Sequence, residues 1–386
     1  MTAGPFLSLN GQVERVTLSG HKRCIQAVPM VRSVAVSLLL LLSLMASGGS
    51  SARDVAVTVA EFPEHDRYWI VPGLDFSPDG SRLAVESSDG KINVWDWRNK
   101  RLEKTVEKAG GTNVGVANPL RYSPDGRWLA VCHTTGVGDV VVRVWDTATW
   151  SIARDLVAGP SSKGPGVCTD MGFSPDRKEF VRTADDNGQP GDGLIVYAVA
   201  TWEPLWGLPL EDISPVSMAI SPDGQLVAIA GTAPVFPEGV TDPIKRIQQV
   251  RYESYIYLVD LQQRRIVKRI LAGVVGPLAW SPDGTRIAMT GGAGVEIFDV
   301  QSGKVARHEK VENAGRMNVR FTPDGRNLMD SDLNGMGKGL GVKIWDSSRQ
   351  KLLQHIPGDI GSLAVSRDGK YLAVGMTGRT TIWEFK

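Results

Sequence analysis

Apolar and polar residues alternate along most of this chain in runs too short for helices, and the runs stop at the same punctuation. In Leu74-Asp-Phe76-Ser-Pro-Asp-Gly80 two apolar residues flank a polar one ahead of a turn sequence. Period-two alternation marks a half-buried strand. Ser-Pro-Asp-Gly supplies the turn chemistry: proline presets φ, Asp bonds its own backbone, and Gly takes positive φ at low cost. A second alternating run, Leu83-Ala-Val85, follows at once. The stretch predicts a β-hairpin.

Six further copies return along the chain: Leu120-Arg-Tyr122-Ser-Pro-Asp-Gly126, Met171-Gly-Phe173-Ser-Pro-Asp-Arg177, Met218-Ala-Ile220-Ser-Pro-Asp-Gly224, Leu278-Ala-Trp280-Ser-Pro-Asp-Gly284, Val319-Arg-Phe321-Thr-Pro-Asp-Gly325 and Leu363-Ala-Val365-Ser-Arg-Asp-Gly369. From one Ser or Thr to the next the steps are 46, 51, 47, 60, 41 and 44 residues. A period of this size signals a propeller or another repeat array. Each hairpin is followed by a third strand, clearest at Val94-Trp95-Asp96, Val144-Trp145-Asp146, Ile344-Trp345-Asp346 and Ile382-Trp383-Glu384, and usually by a fourth, such as Arg101–Val106. Four strands in each of seven units predict an all-β fold, a seven-bladed β-propeller of four-stranded antiparallel blades. After Trp383 only Glu384-Phe-Lys386 remains, while an orphan strand, Val55–Phe62, precedes the first unit. That N-terminal strand (about 54–62) is expected to complete the last blade and so remove an open sheet edge. Trp95, Trp145, Trp345 and Trp383 are expected to pack between blades.

These repeats resemble WD40 repeats over about residues 54–386, through Ser-Pro-Asp-Gly, the alternating strand and the terminal Trp-Asp. The resemblance is divergent. The Gly-His pair that opens a WD40 unit is missing, and the Asp six residues before the Trp occurs only as Asp89 and Asp139. The chain is also similar to the TolB, lactonase and quinoprotein amine dehydrogenase propellers, which share the hairpin motif. A propeller hosts many activities, so the resemblance implies the fold and leaves the function to the site.

Composition narrows the field only slightly. With 386 residues, 42% hydrophobic and 22% charged, the chain can bury a large core. A formal net charge of +1 gives no basic footprint for nucleic acid. The amino-terminal part changes the picture more. Arg32 precedes an apolar run from Val34 to Ala46, followed by Ser, Gly and Ala. About 13 apolar residues match a secretory signal and fall short of the ~20 that span a bilayer. The expected layout is an upstream extension over 1–29, with Met30 as the conventional start, a signal peptide over 30–52, and the propeller over 53–386. A long leading region or an uncleaved anchor is the alternative, and would be the chain's membrane contact. The expected location is secreted or periplasmic, in a bacterium. In an oxidising compartment Cys132 and Cys168, on neighbouring blades, could pair. Two separately buried thiols are the preferred expectation, because free cysteine is commonly buried.

The search for chemistry returns little. There is no Cys-x-x-Cys-His, His-Glu-x-x-His or Gly-x-Ser-x-Gly. His65, His133, His308 and His355 lack ligand spacing. Gly335–Gly341 is glycine-rich but leads into a strand, so the dinucleotide context fails. Asp185–Asp192 clusters oxygens without the spacing of a calcium loop. No metal and no cofactor is expected. The most unusual feature is the insertion Gly231–Tyr255 in blade four, which explains the 60-residue step. It carries Phe236, Lys245, Arg246, Arg251, Tyr252 and Tyr255, and aromatics with Arg are enriched at interface hot spots. These six residues are the candidate partner-binding set. The alternative is a loop folded back on its own blade. The reading is a non-catalytic, monomeric, exported scaffold that binds a protein or peptide through one rim. A lactonase- or quinoprotein-like enzyme, or a TolB-like accessory subunit, is the alternative.

Overall fold

The computed structural model of the chain describes residues 54–63, 71, 73–87, 90–107, 120–132, 140–157, 167–185, 193–210, 213–239, 242–291, 294–310, 315–333, 341–349, 351–358 and 360–386. The extension over 1–29, the signal segment over 30–52, Asp89, Asp139, His65, His133, residues 186–192 and residues 335–340 lie outside them.

The described residues form seven four-stranded antiparallel sheets, the blades of a β-propeller. In blades one to six the strands run in chain order from the innermost to the outermost. Each inner strand touches the inner strand of the next blade, and blade seven touches blade one, so the ring closes around a channel. Closure follows the sequence expectation. Ala56–Pro63 pairs with Arg379–Phe385 as the outer strand of blade seven, from Ala56 opposite Phe385 to Pro63 opposite Arg379. Gln354 of blade six locks this seam: its Oε1 accepts from the Ala56 N–H at 2.8 Å and its Nε2 donates to the Ala56 carbonyl at 3.0 Å.

All seven turns are built alike. The Ser or Thr hydroxyl donates to the Asp Oδ1 two residues on at 2.5–2.6 Å. The same oxygen accepts the backbone N–H five residues on, at 2.9–3.0 Å. One hydroxyl thus fixes both the turn and the start of the second strand, and it is buried, so the pattern needs Ser or Thr. Positive φ follows at the seventh motif position, which is Gly in six turns and Arg177 (φ 67°) in blade three.

The core consists of seven inter-blade clusters. Trp95 lies on blade seven, with its ring 4.7 Å from that of Phe62 in the closing strand. Trp145 packs on blade one, Trp345 on blade five and Trp383 on blade six. The tryptophans are therefore packing residues, as expected. Between blades two and three the outcome differs from expectation. Cys132 and Cys168 form a disulfide, with Cα atoms 5.7 Å apart. A bulge between Cys168 and Asp170 belongs to this strand, and the inner strand of blade three faces the end of the second strand of blade two there. Sequence spacing alone does not convey that alignment.

Candidate functional site

Two places depart from the repeat. The first is the blade-four insertion. The sequence reads as a loop over Gly231–Tyr255, but both its ends are strand: Leu226–Val235 and Arg251–Asp260 pair over ten residues, from Leu226 opposite Asp260 to Val235 opposite Arg251. The period-two pattern is weakened by Gly231 and Pro234, which explains why it does not announce a strand. The tip carries one short helix, Pro243–Gln248, capped by Asp242, whose Oδ1 accepts from the N–H of Ile244 at 2.9 Å and of Lys245 at 3.2 Å.

The candidate residues separate along this hairpin. Alternation puts Arg251 and Tyr255 on one face and Tyr252 on the other. The first face continues inward to Tyr257, which packs toward blade three; the second continues to Ile256, which packs toward blade five. Tyr255 is half-buried and its hydroxyl donates to Glu253. Tyr252 is 69% exposed, Phe236 43% and Ile244 67%. Lys245 and Arg251 are exposed, and the Arg246 side chain lies outside the described residues. So the tip presents apolar surface on both sides of a projecting blade. Leu271 (61% exposed), directly opposite Tyr255 on the outer strand, extends that surface.

The second place is the channel, and the search for motifs missed it. The middle residue of the three before each Ser or Thr is half-buried at Asp75, Arg121 and Arg320, and small at Gly172, Ala219, Ala279 and Ala364. Asp75 of blade one reaches blade two, accepting the Tyr122 N–H at 2.9 Å on Oδ2. Asp170 of blade three does the same toward blade four: its Oδ2 accepts from Ser217 Oγ at 2.9 Å and from Met218 N–H at 3.1 Å. Arg121 lies 3.7 Å from Asp170 Oδ1 and otherwise donates to the carbonyl of Leu120 at 3.0 Å. Arg320 of blade six donates to the carbonyl of Val319 at 2.8 Å.

The electrostatics show how these groups converge. Burial pushes the Asp75 carboxyl up to about 6, against the pull of Arg121, the Tyr122 N–H and Arg320. Burial and then the Arg121 charge bring Arg320 down to about 10, against the opposing pull of Asp170 and Asp75. Arg320 of blade six thus feels charges from blades one, two and three, which only the channel brings together. The signal was present in the sequence, as charges at one position of a repeat otherwise filled by small residues.

Among the described residues no three His, Cys, Asp or Glu side chains group as metal ligands, and no helix is long and apolar enough to cross a membrane. His355 is exposed on the outer strand of blade six, opposite Lys343.

Comparison with known proteins adds to this geometry. The family model "WD domain, G-beta repeat" matches residues 56–96. Its span begins in the closing strand of blade seven and ends with the third strand of blade one, so the sequence repeat straddles two blades. This match and the seven four-stranded blades support a propeller of the WD40 type. The chain is 27% identical to SEC12-like protein 2 of Arabidopsis thaliana over 54% of its length and 46% of that protein's. It is 24% identical to Protein HIR1 of Yarrowia lipolytica over 56% of this chain and 22% of that one. It is 25% identical to the WD repeat-containing protein slp1 of Schizosaccharomyces pombe, over 58% and 42% respectively. The chain thus spans less than half the length of these curated relatives.

Proposed function

We propose that this protein is an exported, monomeric propeller that binds a protein or peptide through the rim from which the blade-four hairpin projects. The observation that carries the reading is the exposure of Phe236, Ile244 and Tyr252 at the end of strands twice as long as those of blade one. Aromatic surface on a rigid hairpin is a good anchor, because little side-chain entropy is lost on binding. WD40-type relatives fit an interaction scaffold. Export is supported by the apolar run Val34–Ala46 and by the Cys132–Cys168 disulfide, which belongs in an oxidising compartment.

The test replaces residues 236–250 with Asn-Gly, which joins Val235 to Arg251 by a two-residue turn and preserves the ladder. Cross-linked capture from the exported fraction should retain a specific partner with the wild type and lose it with the variant, at unchanged melting temperature. A partner held equally by both proteins removes the hairpin from the interface.

One observation favours a second, enzymatic reading of lactonase-like type: the converging channel groups, with Asp75 near the range of a general acid or base. Hydrolysis of simple lactones that disappears in Asp75→Asn would establish it. An inactive wild type leaves the binding reading in place.

A further inference from the structure

The two channel arginines carry more N–H donors than the acceptors around them satisfy. A guanidinium carries five N–H donors. Among the described residues Arg320 has one hydrogen-bond acceptor, the Val319 carbonyl, and no carboxylate within salt-bridge distance. Arg121 has the Leu120 carbonyl and one long contact to Asp170. Asp170 is already committed, since the Met171 N–H occupies its Oδ1 at 2.9 Å and Ser217 and Met218 occupy Oδ2. Asp75 is engaged by Tyr122.

Asp75 and Asp170 offset part of the charge of the two half-buried guanidiniums, which repel each other, but leave most of their N–H donors unbonded, and an anion between them would accept these. The corresponding positions of the other four blades hold Gly172, Ala219, Ala279 and Ala364, so no other long side chain from this repeat position competes for the place. Water reaches the place, since 28% of the Arg121 side chain is exposed.

We propose that the channel binds a phosphate-class oxyanion between Arg121 and Arg320. Planar guanidinium forks match tetrahedral oxyanions, donating two parallel N–H bonds each. Asp75 tunes the site. As a carboxylate it competes with the anion for both arginines; as a carboxylic acid it can donate to an anion oxygen. The groups that face it are Arg121, Arg320 and the Tyr122 N–H. Anion affinity therefore rises as pH falls through about 6. This inference is independent of the rim reading, since it concerns different residues and a different ligand.

The experiment measures thermal unfolding and calorimetric binding of the full chain in phosphate-free buffer. Inorganic phosphate and glycerol phosphate are titrated at constant ionic strength set with chloride. Wild type should bind one phosphate and melt higher as phosphate rises. Arg320→Gln should melt no lower than wild type without phosphate and lose at least tenfold in affinity. Asp75→Asn should bind severalfold tighter at pH 7.5 and keep only the pH dependence that the phosphate's own second ionisation imposes. Binding of both anions points to phosphorylated solutes, and binding of phosphate alone points to the free ion. Absence of any shift beyond chloride in the wild type, or an equal shift in Arg320→Gln, overturns the proposal. So does an Arg320→Gln protein that is strongly destabilised and insensitive to phosphate, because the arginine would then be a structural group.

Discussion

The turn rim and the channel come from the same seven stretches of sequence, yet they obey opposite rules. In the turns every blade repeats one solution: hydroxyl to carboxylate, hydroxyl to the next strand. Two residues before that hydroxyl, at the position facing the channel, the blades disagree, with one Asp, two Arg and four small residues. The turn carboxylates sit in hydrogen bonds that hold their pKa values down, as at Asp283, lowered to about 2 chiefly by Ser281. The channel carboxylate Asp75 is pushed up by burial. Repetition builds the ring, and chemistry collects where repetition fails.

The largest expected effect lies on the framework side. Phe62 is buried in the seam and stacks on Trp95. Phe62→Ala should cost about 3–5 kcal/mol, read by denaturant unfolding, and should leave phosphate binding intact in the fraction that is folded. A deletion of residues 55–62 that melts at the wild-type temperature would break the closure argument itself.

Next comes pH, where the two regions should respond with opposite sign. Asp75 has a native pKa of about 6, above its ordinary 3.8. The native state therefore binds this proton more tightly than the unfolded one, and stability falls as pH rises from about 4 to about 6, then levels. The full shift is worth at most about 3 kcal/mol. The lowered turn carboxylates, Asp79 and Asp283 among them, act the other way: their contribution is present above their unfolded pKa and is lost as pH falls toward 2. Exposure and screening reduce what each of these contributes. Asp75→Asn should remove most of the fall between pH 4 and 6, leaving the smaller share of Glu179, which burial also raises, and should leave the acid limb unchanged. A stability curve that keeps its fall in that variant would assign it to another group.

A smaller effect isolates the hydroxyl. Ser281 Oγ is buried, donates to Asp283 and accepts the Arg286 N–H at 2.9 Å. Ser281→Ala leaves that N–H without its partner and should cost about 1–2 kcal/mol. Ser281→Thr should restore it, because blade six uses Thr322 in the same role.

How much of this was legible beforehand follows the same division. Blade number, strand order and the seam could be read because alternation, turn chemistry and an orphan strand are local signals. Long-range alignment could not. The disulfide depends on where Cys168 falls along a bulged strand relative to Cys132. The channel belt depends on Asp75, Arg121 and Arg320 meeting although they lie as many as 245 positions apart. In blade four the six candidate residues were visible, but Pro234 and Gly231 disguised the strand that sets Tyr252 on the opposite face from Arg251 and Tyr255.

The smallest prediction tests the uniform side at its one irregularity. Arg177 adopts φ 67° where the other six turns have Gly between 67° and 75°. A side chain there strains the backbone, whereas Gly does not. Gly at this position also gains unfolded-state entropy, which works against it. The left-handed cost of about 1–2 kcal/mol for an L-residue exceeds that entropy loss of about 0.4–1 kcal/mol. Arg177→Gly should therefore stabilise the protein by a few tenths to about 1 kcal/mol, read as a small rise in melting temperature. Arg177 is exposed and its guanidinium reaches no carboxylate within salt-bridge distance among the described residues, so only a screened attraction to Asp125 is lost. A variant less stable than wild type would mean that the blade-three turn is held by its arginine, and that the seven turns are less alike than their hydrogen bonds imply.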